Sequence, residues 1–203
     1  QQNRALNLVW ALWASGEIEE GSLIGVVGGG IAGAMTAAAL LDLGCKVDVY
    51  ESNREALTRQ SSTKHRYIHP TVNRWPEYAI SETTELPYFD WISGICSSVV
   101  KSLQEEWQAL KRSKPDDLRF EPQATVEGLT EPPGGKRKIA IHTLKPTALS
   151  NERYHAVIVT SGFANEDTKP PSGDEHAKPL PSYWDNEDLD REAFVRILCE
   201  PHN

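Results

Sequence analysis

Three glycines carry the most specific chemical signal in this sequence. Gly28, Gly30 and Gly33 stand in the run Gly28-Gly29-Gly30-Ile31-Ala32-Gly33, a G-x-G-x-x-G spacing. Gly28 allows a tight turn, and Gly30 leaves its backbone open to a pyrophosphate. Gly33 lets the following helix lie close to its neighbours. Ile31 and Ala32 open that helix. Their free N–H groups, with the positive end of the helix dipole, suit an anion. Glu51 follows 23 residues after Gly28. A carboxylate there can accept hydrogen bonds from ribose hydroxyls, and it repels a 2′-phosphate. That favours FAD or NAD over NADP. Ser52 adjoins this acid and joins it as a candidate cofactor contact.

The elements around these residues are those the chemistry requires. Leu23 to Val27 is an apolar run that leads into the glycines. A helical segment, Ile31 to Leu43, follows. Lys46 to Tyr50 then reads as a second strand that ends at Glu51. Strand, glycine turn, helix, strand and acid together form a dinucleotide-binding βαβ unit. A lone glycine motif carries far less weight.

Leu23 to Glu51 resembles the N-terminal fingerprint of the FAD/NAD(P)-binding flavoproteins, the superfamily with a glutathione-reductase-like fold. Ala37, Leu40 and the Leu43-Gly44 exit add to the likeness. A second segment, Tyr154 to Gly162, resembles that family's late strand, which ends in a small-Thr-Gly turn. Here the turn reads Thr160-Ser161-Gly162. The resemblance implies that this turn passes close to the cofactor, so Ser161 and Gly162 join the candidate cofactor residues. It implies an α/β fold: a three-layer Rossmann-like FAD/NAD(P)-binding domain with a central parallel sheet and a β-meander crossover. FAD is the implied cofactor, with NAD as the alternative. The family's later Gly-Asp motif has no convincing copy. Gly173-Asp174 lies in a Pro-rich, charged stretch instead. With Gln1 first and Asn203 last, the sequence reads as the N-terminal part, or a truncated relative, of a larger flavoprotein.

Composition narrows the function classes. A net charge of −8 over 203 residues argues against broad nucleic-acid binding, whose affinity comes from Lys and Arg. Arg54, Arg59, Lys64, Arg66 and Arg74 form a local basic group; each is read as solvated, with a phosphate-facing role as the alternative. Cys45, Cys96 and Cys199 make no C-x-x-C pair. A vicinal-dithiol mechanism and a structural zinc site therefore have no support. The thiols suit a reducing compartment, and a cytoplasmic location is expected. No apolar run is long enough to span a membrane, so no membrane association is expected.

Residues 1–22 read as an N-terminal helix and linker, and 23–203 as the dinucleotide-binding domain, incomplete at its C-terminus. In Gln1 to Ser15 the apolar residues Leu6, Val9, Trp10 and Trp13 recur at three- and four-residue steps. This helix is expected to dock on the domain, with a protein partner as the alternative. Ser52 to Gly94 lacks periodicity and holds His65, Arg66, Tyr67, His69, Trp75 and Tyr78. Long irregular segments are often functional. His65 and His69 have a metal-compatible spacing only on a helix, and Pro70 argues against one. Ile95 to Lys111 reads as a helix with Val99, Leu103, Trp107 and Leu110 on its apolar face. Leu118 to Glu127 reads as a strand interrupted by Pro122. Lys138 to Leu144 reads as a half-buried strand and Tyr154 to Thr160 as a buried one.

The function expected from these features is the FAD-binding portion of a flavin-dependent oxidoreductase. The alternative is a non-catalytic module that senses NAD or ADP-ribose. A nicotinamide-dependent dehydrogenase is weaker, because no catalytic Lys/Tyr or His/Asp arrangement can be placed. The dinucleotide is the expected partner, beside a small-molecule substrate that the residues do not identify.

Overall fold

A computed structural model describes residues 1–70, 82–131 and 138–162. Among the described residues four parallel strands form its central sheet, in the order β5-β2-β1-β8. They are β1 (Leu23–Val27), β2 (Lys46–Glu51), β5 (Leu118–Pro122) and β8 (Ala156–Val159). Ile24 pairs with Val47 on one side and with Ala156 on the other, so β1 lies at the centre. Among the described residues three helices accompany the sheet: α1 (Gln2–Ala14), α2 (Ile31–Asp42) and α3 (Cys96–Ser113).

Alternation along the strands separates two faces. Ile24, Val26, Val47, Val49, Leu118 and Ile158 share one core cluster with the helices. Tyr50, Ile141, Leu149 and Tyr154 form a second cluster on the opposite face. That face is covered by β6 (Val126–Thr130) and β7 (Ala140–Thr143), which pair antiparallel. An antiparallel bridge from Ile139 to Tyr154 continues this excursion back towards the sheet. The result is the expected three layers with a β-meander crossover between β5 and β8.

Gly25 shows why the second layer can approach so closely. A methyl group there would lie 2.7 Å from Ile141 Cδ1 and 3.2 Å from the Tyr154 ring. The glycine in a central strand therefore serves packing.

The strand expected over Leu118 to Glu127 breaks at Pro122, where the sequence interrupts it. It divides into β5, at the edge of the main sheet, and β6, in the small one. Gln123, with φ of +56°, makes the corner between them. Proline lacks a ladder donor, so Pro122 fits the end of an edge strand. The apolar face of α1 differs from the expectation. Ala5 and Val9 are buried, with Leu6 and Leu12 beside them, whereas Trp10 is 71% exposed and Trp13 36%. The small side chains let α1 lie against the alanine-rich α2, where tryptophan would hold the two helices apart. In α3 the expected Val99, Leu103 and Trp107 are buried, and Leu110 packs beside them.

The irregular stretch after β2 contains a small antiparallel pair, β3 (Tyr67–Ile68) with β4 (Gly94–Ile95). Arg74, Trp75 and Tyr78 lie outside the described residues, as do Gly173-Asp174 and Cys199. Among the described residues no helix is long and apolar enough to cross a membrane.

Candidate dinucleotide site

Because β1, β2 and β8 run parallel, their C-terminal ends meet at one edge of the sheet. The glycine turn, Glu51 and Thr160 all follow these strand ends. Ligands of open α/β sheets bind at such an edge. The topology thus brings together three segments that lie far apart in sequence.

The glycines of the motif have different reasons to be glycine. Gly28 has φ of +106°, which L side chains rarely adopt, and a Cβ there would come within 2.9 Å of the Thr160 carbonyl oxygen. At Gly33 a Cβ would lie 1.9 Å from the Gly28 carbonyl oxygen. Helix α2 therefore starts directly against the glycine turn. Gly30, the N-cap of α2, has an ordinary φ of −73°. A Cβ there would meet nothing within 4 Å. Neither backbone strain nor packing among the described residues requires glycine at position 30.

Thr160 closes the turn from the other side. Its N–H donates to the Val27 carbonyl at 2.7 Å. Its hydroxyl lies 3.0 Å from that same oxygen and 2.9 Å from the Gly28 carbonyl. Ser161 and Gly162 follow it, exposed, and Gly162 has φ of +76°.

Glu51 is buried, yet every oxygen is engaged. Oε2 accepts the Gly29 N–H at 2.6 Å. Oε1 accepts the Asn53 N–H and the Asn53 side-chain amide, both at 2.7 Å, and the Ser52 hydroxyl at 3.2 Å. The acid thus ties the end of β2 to the glycine turn. Each carboxylate oxygen has about two acceptor positions; Oε1 takes three donors, whereas Oε2 takes one and keeps a position open.

Residues that sequence reasoning passed over complete this support. The Leu57 N–H donates to the Gly29 carbonyl at 2.9 Å. Gln104, on α3, donates its amide to the Ala56 carbonyl at 3.3 Å and reaches the Leu57 carbonyl at 3.5 Å. Leu57 has φ of +60°, a strained conformation for a bulky residue. Asn53 carried a readable signal, since Asn favours turns that its own side chain stabilises. Gln104 carried none, because its role depends on how α3 docks.

Beside Glu51, the edge pairing Glu51–Pro122 borders a cleft of about 410 Å³. Arg54, Lys111, Trp107 and Phe120 are among its lining residues. Lys111 Nζ stands 5.2 Å from the centre of the Phe120 ring. Of the other basic candidates, Arg59, Lys64 and Arg66 make interactions within the protein. His65 is exposed and His69 half-buried in the loop around β3.

On the meander face, behind the site, lies a buried polar chain. The Tyr50 and Tyr154 hydroxyls are 2.6 Å apart, and Tyr154 donates to Asp48 Oδ2 at 2.8 Å. Arg119 grips Asp48 with two bonds of 2.6 Å and reaches Glu152 at 2.8 Å. Burial, as the main cause, pushes the Tyr50 phenol up to about 12. Burial also pushes Tyr154 up, reinforced by its bond to Tyr50 and by the Asp48 charge.

No curated protein sequence matches the chain. Several solved structures are similar to it at low identity. The flavoprotein disulfide reductase RclA of Escherichia coli, as a Cu(II) complex, is 14% identical with a TM-score of 0.40, covering 70% of this chain and 22% of its own. An NAD-dependent persulfide reductase of A. fulgidus is 13% identical with a TM-score of 0.41, covering 76% and 19%. CtdE in complex with FAD is 21% identical with a TM-score of 0.43, covering 70% and 39%. The chain therefore spans well under half of each of these proteins. A family model described as FAD dependent oxidoreductase matches residues 24–132, which is more than half of the chain and takes in the glycine turn, Glu51, α3 and β5. The chain belongs to the FAD-dependent oxidoreductase family.

Proposed function

We propose that this chain is the FAD-binding portion of a flavin-dependent oxidoreductase. Gly28, Gly29, Gly30 and Gly33, with the first amides of α2 at Ile31 and Ala32, would receive the pyrophosphate. Glu51 would accept the adenosine ribose hydroxyls through the open position on Oε2. Ser52, Ser161 and Gly162 would flank the ligand at the strand ends. When bound, FAD supplies the redox chemistry, and this chain supplies binding and orientation.

Gly30 is the observation that carries this reading. Its backbone is unstrained and its Cβ position is open. A glycine that nothing among the described residues requires is explained by a ligand that must come close. The fit of Gly28 and Gly33 to each other and to Thr160 shapes the turn around that position.

In this reading residues 1–22 form a helix and linker attached to a dinucleotide domain over 23–203. The exposed Trp10, Leu8 and Trp13 on α1 support a protein partner there. Cys45 and Cys96 are free thiols, which supports a reducing, cytoplasmic setting. The substrate is a small molecule whose class the described residues do not define.

Calorimetric titration of the protein with FAD, NAD and NADP tests the assignment, alongside the flavin absorbance of the purified protein. Saturable FAD binding with a visible flavin band is expected. Binding of NAD or ADP-ribose without any affinity for FAD would replace this reading with a non-catalytic sensor.

A further inference from the structure

We infer that Asn53 is the positioning residue of the ribose acceptor: it holds Glu51 so that Oε2 faces the ligand. The inference rests on the FAD reading of the site. Asn53 grips Oε1 twice, through its backbone N–H and its side-chain amide, both at 2.7 Å. Ser52 adds a third donor to the same oxygen. Oε1 is thereby saturated. Among the described residues Oε2 accepts only the Gly29 N–H. The asymmetry fixes the rotation of the carboxylate and leaves its open acceptor position on the oxygen that also touches the glycine turn.

The Asn53 carbonyl does a separate job. It accepts the Gln123 N–H at 3.0 Å, while the Glu51 carbonyl accepts that of Ala124 at 2.8 Å. These bonds pin the β5–β6 corner beside the acid. Replacing the Asn53 side chain leaves them in place. Asn53 is exposed, so the substitution removes no core packing. Its side-chain amide can therefore be tested apart from the fold.

The test is Asn53→Ala, alone and combined with Glu51→Ala. FAD affinity should fall about three- to tenfold in the single variant, the range for one lost hydrogen bond. In the Glu51→Ala background the same change should cost nothing further, because the amide then has no carboxylate to hold. Amide hydrogen exchange of ligand-free protein supplies a second readout. The Gly29 N–H should exchange several-fold faster in Asn53→Ala, with the thermal midpoint unchanged. Equal losses of affinity in both backgrounds, or unaltered Gly29 exchange, would overturn the inference. A wild-type protein without FAD affinity would remove the FAD reading instead, and the Gly29 exchange would still decide whether Asn53 positions Glu51.

Discussion

At the scale of single residues, the glycines of one motif divide by the neighbour each one accommodates. Gly30→Val should leave the thermal midpoint nearly unchanged and abolish FAD binding in calorimetry. The added side chain enters open space where a pyrophosphate would lie. Gly33→Ala should do the reverse damage. Its methyl group overlaps the Gly28 carbonyl oxygen, so the protein itself should lose about 1–3 kcal/mol in urea unfolding. Retained FAD affinity in Gly30→Val would remove the pyrophosphate from this turn. Glu51→Ala should weaken FAD or NAD binding by roughly 1.5–3 kcal/mol, about ten- to a hundredfold. It should also narrow the preference against NADP, since the repelling charge is gone. The Gly29 N–H loses its acceptor in the same variant. A lower apo midpoint is therefore expected with the lost affinity. Tighter native binding of NADP than of FAD and NAD would show that Glu51 does not face the ribose.

Elements are joined here by polar contacts as much as by apolar ones. Asp48 of β2 is buried, Arg119 of β5 is 44% exposed at its side chain, and Tyr154 precedes β8. Their shared network ties the meander layer to the sheet. Arg119→Ala should therefore destabilise more than Asp48→Asn. It leaves a buried carboxylate without its cation, whereas a neutral amide in place of Asp48 lets Arg119 turn to solvent. Full burial of a broken pair costs about 3–5 kcal/mol, and the exposure of Arg119 places this case below that range. Urea midpoints of the two variants give the order. Trp10→Ser belongs to the same scale. Trp10 projects from α1 into solvent, so its loss should leave the midpoint unchanged. A clear drop would mean that α1 docks through its tryptophans, as its sequence periodicity had suggested.

For the whole molecule, the buried phenols set an alkaline limit on stability. Tyr50 is raised to about 12 in the folded state from an ordinary 10.0, chiefly by burial. Tyr154 moves in the same direction. A group whose folded value is raised contributes stability that is complete below its unfolded value. That stability is lost as pH climbs through the folded value. Unfolding free energy should thus be insensitive to these phenols up to about pH 9 and fall between about pH 10 and 12. Tyr50→Phe should soften that fall. Denaturant titrations of both proteins across this window decide it, and an identical alkaline slope would show that Tyr50 does not contribute.

The βαβ unit was legible in the sequence because its determinants are local. Alternating strands, glycines at fixed offsets and an acid at a strand end all fall within Leu23 to Glu51. The late strand before Thr160-Ser161-Gly162 was legible for the same reason. Tertiary structure alone decided the rest. Thr160 meets Gly28 only because β8 pairs with β1 across more than a hundred residues of chain. The break of Leu118 to Glu127 at Pro122 was legible, but not that its two halves join different sheets, because apolar pattern does not report which sheet a strand joins. Trp10 and Trp13 looked core-facing because periodicity reports which residues share a face, not how closely the neighbouring helix approaches. The double grip of Asn53 on Glu51 lay between these cases: the residue types were visible, but the direction of the carboxylate depends on hydrogen-bond geometry that only the folded chain creates.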